Sequence, residues 1–243
     1  MKWNSVLYDK SQAFVSEYGN SLISFVPQDK EQCILDIGCG TGDLTQKLRE
    51  VSGDIIGIDG SKEMIEMAKS KYPQLKFEIM DACCLPWENK FDVIFSNAVF
   101  HWISAQEKLL KGIYAALRDG GKLISEFGAN GNIYQIESAY RIVVPSYKSP
   151  FYFPTVEDYS SLLQKTGFAI EKIYDYSRPT PLPDGKDGLR NWMKQFFASN
   201  LSVYEKEQQE GIFENVEKLL EESLFDGTKW VADYRRIRVI ASK

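Results

Sequence analysis

The 243-residue chain has a single histidine, His101, and four cysteines, none of which forms a C-x-x-C pair. Cys33, Cys39, Cys83 and Cys84 lack the spacing of a zinc site, so no metal is expected. The adjacent Cys83 and Cys84 lie in an apolar stretch and read as reduced, buried thiols, which points to the cytoplasm. Positive charge is not in surplus: Lys and Arg total 29 against 34 Asp and Glu, a net charge of -5. That balance argues against a nucleic-acid partner, whose phosphates call for clustered cations. Nowhere do ~18 apolar residues run together, so no membrane span is expected. Met1-Lys2-Trp3-Asn4 opens no apolar stretch of signal-peptide length behind a basic one.

What is present suits one folded core. Hydrophobic residues make up 44% and charged ones 26%, ordinary for a globular protein. One domain over 1–243 is expected: a ligand-binding core with an N-terminal helix over 1–128, cap elements and a sixth strand over 129–231, and a last strand over 232–243. Residues 6–26 carry apolar and aromatic side chains at mostly helical spacing. Strands are predicted at Cys33–Ile37, Asp54–Asp59, Leu75–Met80, Phe91–Ser96 and Lys122–Phe127. Helices are predicted after Gly42, after Ser61 as N-cap, and over 105–117, with Asp119-Gly120-Gly121 closing the last of these. This alternation implies an α/β fold, a Rossmann-like, mostly parallel seven-stranded sheet with helices on both faces. Beyond Gly128 the regular beat loosens. Helices are predicted over 133–144, 155–165, 189–197 and 205–224, and strands over 168–176 and 234–240. These make a partly helical cap inserted near the sixth strand.

The chemistry concentrates in Leu35-Asp36-Ile37-Gly38-Cys39-Gly40-Thr41-Gly42. Alternate glycines let the backbone turn tightly and approach a ligand without side-chain obstruction. A dinucleotide fingerprint spaces its glycines G-x-G-x-x-G. Here the run is G-x-G-x-G, directly after an acidic strand residue. Asp59 ends the next strand 23 residues after Asp36, where a carboxylate can accept from both hydroxyls of a ribose. Asp81 ends the third. Three acids at the carboxyl ends of successive strands mark the ligand edge of an open α/β sheet. The fourth strand runs into Ser96-Asn97-Ala98-Val99-Phe100-His101-Trp102. His101 is there a candidate general base for a hydroxyl, or a donor to an acceptor oxygen.

The Asp36–Gly42 run resembles motif I of the class I S-adenosylmethionine-dependent methyltransferases. The resemblance implies that Asp36 holds the ammonium of S-adenosylmethionine and that Gly38, Cys39, Gly40 and Gly42 pass under its amino-acid part. It implies that Asp59, with Gly60, takes the ribose. Met64, or Ile65 near it, would pack on the adenine, whose edge meets Asp81 and the amide of Ala82. Asn97 and Ala98 would line the sulfonium. Outside these motifs, Trp3-Asn4 with Leu7-Tyr8, the Ser96–Trp102 segment, Leu189-Arg190-Asn191-Trp192 and Tyr234–Ile240 are similar to the trans-aconitate methyltransferase group, over nearly the whole chain. One position departs: those enzymes carry Gln where this chain has His101. Tyr8, Trp102, Arg190 and Trp192 are the residues expected to touch the acceptor.

The resulting expectation is transfer of a methyl group to a small-molecule acceptor by a monomer or homodimer, with no membrane partner. An oxygen of a carboxylate or hydroxyl is preferred over carbon or nitrogen. A carboxylate needs no base but calls for donors, with Arg190, Arg235, Arg236 and Lys148 as candidates. A hydroxyl needs His101. A carrier-protein-bound acid is an alternative acceptor. An NAD-dependent oxidoreductase, disfavoured by the glycine spacing, and a non-catalytic cofactor-binding module are the distant readings.

Overall fold

Strands that are apolar on both faces belong at the centre of a sheet. In a computed structural model, which describes Gly19 and residues 21–243, β1 (Cys33–Ile37) is buried along its whole length. The chain then alternates helix and strand: α1 (Asp43–Leu48), β2 (Asp54–Asp59), α2 (Lys62–Lys71), β3 (Lys76–Ile79), β4 (Phe91–Asn97), α3 (Gln106–Ala116) and β5 (Leu117–Gly128). Then come α4 (Tyr134–Val143), α5 (Val156–Thr166), β6 (Ala169–Ser177), β7 (Thr180–Pro181), α6 (Gly188–Phe196), α7 (Ala198–Leu201) and α8 (Lys206–Leu224). The short β8 (Val231–Ala232) and the long β9 (Arg235–Ser242) complete the chain.

The described chain divides into two units. The first takes residues up to 129 together with 151–175 and 237–243. Its frame is a seven-stranded sheet in the order β3-β2-β1-β4-β5-β9-β6. The pairs β3–β2, β2–β1, β1–β4 and β4–β5 are parallel. At β9 the direction reverses. Lys243 exchanges backbone hydrogen bonds with Gly120 and Gly121 at the start of β5, while Arg238 meets Glu126 near its end.

Alternate residues of each strand point to opposite faces, and the apolar clusters divide accordingly. Ile34, Ile55, Val93, Phe95 and Ile124 pack with Leu22, Val26 and Leu48 on one face. Leu35, Ile37, Ile56, Ile58, Ile94 and Leu123 pack on the other with Leu109, Leu110 and Ile113 of α3 and Tyr159 and Leu163 of α5. Local signals start the helices. Ser61 Oγ accepts from Met64 N–H at 3.2 Å to cap α2, and Thr155 Oγ1 accepts from Asp158 N–H at 3.1 Å to cap α5. No described helix is long and apolar enough to cross a membrane.

The second unit, residues 130–150 and 176–236, is helical apart from the antiparallel β7–β8 ladder. Its helix α8 packs against α4, and Tyr140, Trp192, Phe197 and Phe213 fill its interior. Arg190 is clamped inside this unit. Its Nε and Nη2 donate to the two oxygens of Glu217 at 3.2 and 2.8 Å, and its Nη1 donates to Glu210 at 2.8 Å.

Most predicted elements fall within a residue or two of the observed ones. Three differ. Strand β5 begins at Leu117 rather than Lys122, taking Asp119-Gly120-Gly121 into the strand as an irregularity where the register with β4 shifts. The β7–β8 ladder had no sequence signal. The third correction concerns Cys83 and Cys84, which are half-buried and exposed respectively, because a tight helical turn over Ala82–Cys84 holds them after β3. Of the helix predicted over 6–26, only Gly19 and residues from 21 onward are described; 19 and 21–23 are helical.

Candidate cofactor and acceptor site

Strand β1 ends inside the core, so the chain must leave it sharply. Gly38, Gly40 and Gly42 do this with φ of 72°, 56° and 88°, in the left-handed region. The amides of Gly38 and Cys39 donate to Ile58 O at 2.7 and 3.0 Å, tying the loop to the end of β2. Gly40 N–H donates to Asp59 Oδ2 at 3.1 Å, and Ser61 N–H donates to Asp59 Oδ1 at 2.8 Å. These two amides fix the Asp59 carboxylate but occupy only two of its roughly four acceptor positions. Burial pushes its pKa up, and the two amides oppose that shift.

Asp36 is only 2% exposed, and its Oδ2 accepts from Thr45 Oγ1 at 2.6 Å. Burial pushes its carboxyl up to about 7; the Thr45 hydrogen bond opposes this and the nearby Asp59 charge adds to it. Asp81 is exposed and accepts from Cys83 N–H at 2.9 Å, opening the turn that Ala82 begins. A Cβ added at Gly60 would meet nothing within 4 Å. Met64, by contrast, is buried on the inner face of α2.

At the end of β4, Asn97 is buried and Ala98 adopts φ 63°, an uncommon conformation for a residue with a Cβ. The amide of Ala98 donates to Glu126 O at 2.7 Å. The strand thus breaks into the helical turn Phe100–Trp102, which carries His101. His101 is 7% exposed. Its Nδ1 accepts from Gly128 N–H at 3.2 Å, and its carbonyl accepts from Tyr152 N–H at 2.9 Å. The rings of Trp102, Phe151 and Phe153 stand 5.5, 6.1 and 5.8 Å from the imidazole, centroid to centroid. All three are half-buried.

The first unit therefore gathers Asp36, the glycine loop and Asp59 directly, with Asp81 and Asn97–His101 at the ends of neighbouring strands of the same sheet. The acceptor residues expected elsewhere divide differently. Tyr8 lies outside the described residues. Arg190 and Trp192 belong to the second unit. There Trp192 Nε1 donates to Tyr234 Oη at 2.7 Å, and the Arg190 guanidinium is committed to Glu217 and Glu210. Its guanidinium fork is thus matched by carboxylates of its own unit. Arg236 is buried with its guanidinium 4.5 Å above the Tyr234 ring, and Lys148 is exposed. Sequence reading missed Thr45, Gln106 and Gly128. Only Thr45 left a trace, as a polar residue on the inward side of a helix.

Comparison with known proteins bears on this arrangement. Residues 35–125 match the family model described as a methyltransferase domain. An uncharacterized methyltransferase of Schizosaccharomyces pombe, C70.08c, is 31% identical over 261 residues, covering 99% of this chain and 98% of that one. The chain belongs to the methyltransferase family. Within it, this methyltransferase is S-adenosylmethionine-dependent. It is also similar to the trans-aconitate 2-methyltransferase of Deinococcus radiodurans, 29% identical over 215 residues and 80% of each chain. Its fold matches that of phosphoethanolamine N-methyltransferase 2 of Haemonchus contortus in complex with S-adenosyl-L-methionine. There the TM-score is 0.59 and the identity 22%, over 93% of this chain and 52% of that one.

Proposed function

We propose that this methyltransferase moves a methyl group to a carboxylate oxygen of a small organic acid. The hydrogen bond from Gly128 N–H to His101 Nδ1 carries the reading. A ring nitrogen that accepts carries no hydrogen, so the imidazole bears its hydrogen on Nε2 and presents a donor there, with no basic lone pair. Were the ring to take up a proton, an Nδ1–H would face the Gly128 N–H. A hydroxyl acceptor needs a base, whereas a carboxylate is ionised at neutral pH and needs only to be positioned. Similarity to a trans-aconitate enzyme supports an acid. The Gln of the resembling group supports it as well, since an amide N–H is again a donor and not a base.

The acceptor set fits the cofactor. Three carboxylates succeed one another along the sheet's carboxyl edge, and an ammonium, a ribose diol and an adenine amino group all call for acceptors. Asp36 would hold the ammonium, Asp59 the ribose beside Gly60, and Asp81 with the Ala82 amide the adenine edge. The loop of Gly38, Cys39, Gly40 and Gly42 would lie under the amino-acid part, Met64 would back the adenine from α2, and Asn97 and Ala98 would line the sulfonium. When bound, S-adenosylmethionine supplies an electrophilic methyl group and a neutral thioether leaving group. Trp102, Phe151 and Phe153 keep water from the His101 donor, where orientation contributes up to roughly 7–11 kcal/mol.

The test supplies purified enzyme with S-adenosylmethionine and either trans-aconitate or its hydroxyl analogues, and treats any product with mild alkali. A methyl ester, cleaved by alkali, is expected. His101→Gln should retain activity, while His101→Ala should lose about 100-fold, the effect of deleting one preorganised donor. An alkali-stable methyl ether, or a Gln variant as inactive as the Ala variant, would sink the proposal.

A further inference from the structure

Gln106 opens α3, is 5% exposed and is no part of the motifs. Its Nε2 donates to Phe100 O at 2.6 Å and to Ile103 O at 2.6 Å. These are the carbonyls on either side of His101 and Trp102. Its Oε1 accepts from the hydroxyl of Tyr159 at 3.4 Å, a fully buried residue of α5. An amide nitrogen has two hydrogens to give, and Gln106 gives both to one turn. Within the turn, Trp102 N–H reaches Val99 O at 2.9 Å and Ile103 N–H reaches Phe100 O at 3.1 Å. So short a helical turn is poorly bonded on its own.

We propose that Gln106 is a positioning residue of the acceptor site. It holds the Phe100–Trp102 turn in the one arrangement that keeps His101 Nδ1 on the Gly128 amide, and so keeps Nε2 as the donor. This inference rests on the reading of His101 given above. Three ties meet at the turn from different elements. Gln106 of α3 braces its ends, Tyr152 N–H takes its middle carbonyl, and Gly128 at the end of β5 sets the ring. The Gln106 tie is given by a side chain, so it can be removed without disturbing backbone pairing elsewhere.

Because His101 is the sole histidine, 15N labelling of histidine and long-range proton–nitrogen NMR read its tautomer without assignment. The wild-type protein should show one species, with hydrogen on Nε2. Gln106→Met removes both donors at similar volume and should give a mixture of tautomers, with unchanged affinity for S-adenosylhomocysteine by calorimetry. Gln106→Asn, one methylene too short to brace both carbonyls, should shift the same way and carries the test if the Met variant does not fold. A folded variant that keeps the single wild-type tautomer overturns the positioning role alone. A wild-type ring with hydrogen on Nδ1 overturns the reading of His101, and this inference with it.

Discussion

Val99 closes over Gly38: a Cβ built on the glycine would lie 2.2 Å from Val99 Cγ2 and 2.7 Å from Cγ1. The glycine loop after β1 and the turn after β4 thus interlock where a cofactor and an acceptor would meet. Gly38→Ala should lose S-adenosylhomocysteine binding and lower the melting temperature, because it adds a clash to a left-handed φ costing roughly 1–2 kcal/mol. Val99→Ala in the same chain should restore part of that loss. Gly60→Ala meets open space and should leave stability unchanged. Calorimetry and thermal melts of the four proteins check this; a Gly38→Ala variant that binds normally would refute it.

The pH dependence of stability follows from Asp36. Its folded pKa of about 7 lies above the value near 3.9 expected in the unfolded chain. Between the two the folded state keeps a proton that the unfolded state has lost, so this contribution to stability falls as pH rises through the window. Asp36→Asn should raise the melting temperature of the ligand-free protein at about pH 8 and change it little near pH 4. Equal effects at both values would count against the buried carboxylate.

Arg238 and Glu126 form a buried ion pair inside the sheet, with Arg238 Nε 2.7 Å from Glu126 Oε2 and Nη2 also on that oxygen. Arg238 further donates to Tyr174 Oη at 3.3 Å and Ser21 Oγ at 2.8 Å. Removing either partner strands a buried charge, at about 3–5 kcal/mol. Replacing both with Leu should cost less than the two single changes added together, measured by urea unfolding. Strict additivity would show that the pair is not coupled.

Arg190→Ala should destabilise the protein by about 1 kcal/mol through loss of its partly exposed ion pairs, with the KM for the organic acid unchanged. A KM increase without loss of stability would return Arg190 to the acceptor site.

Local patterning made the first half of the molecule legible. Apolar runs such as Cys33–Ile37 and Asp54–Asp59, broken by glycines or ended by acids, specify strand, turn and helix within a few residues of one another. The same locality placed Asp36, Asp59 and Asp81 at successive strand ends. The hydrogen-bond partner of the His101 ring could not be read in this way, because it lies at Gly128, 27 residues away. The pairing of Arg190 was hidden for the same reason: Glu217 is also 27 residues away.

The sequence by itself determined the strand–helix alternation, the G-x-G-x-G loop and the acids at the ends of successive strands. These are short-range features, set by backbone sterics and by hydrophobic period. Only the tertiary structure decided that β9 enters antiparallel beside β5, that Asp36 is buried enough for its pKa to rise to about 7, and that the Gly128 amide meets Nδ1 of the single imidazole. Each of these depends on contacts between segments far apart in the chain, where desolvation and hydrogen-bond partners are supplied by folding and leave no periodicity to read.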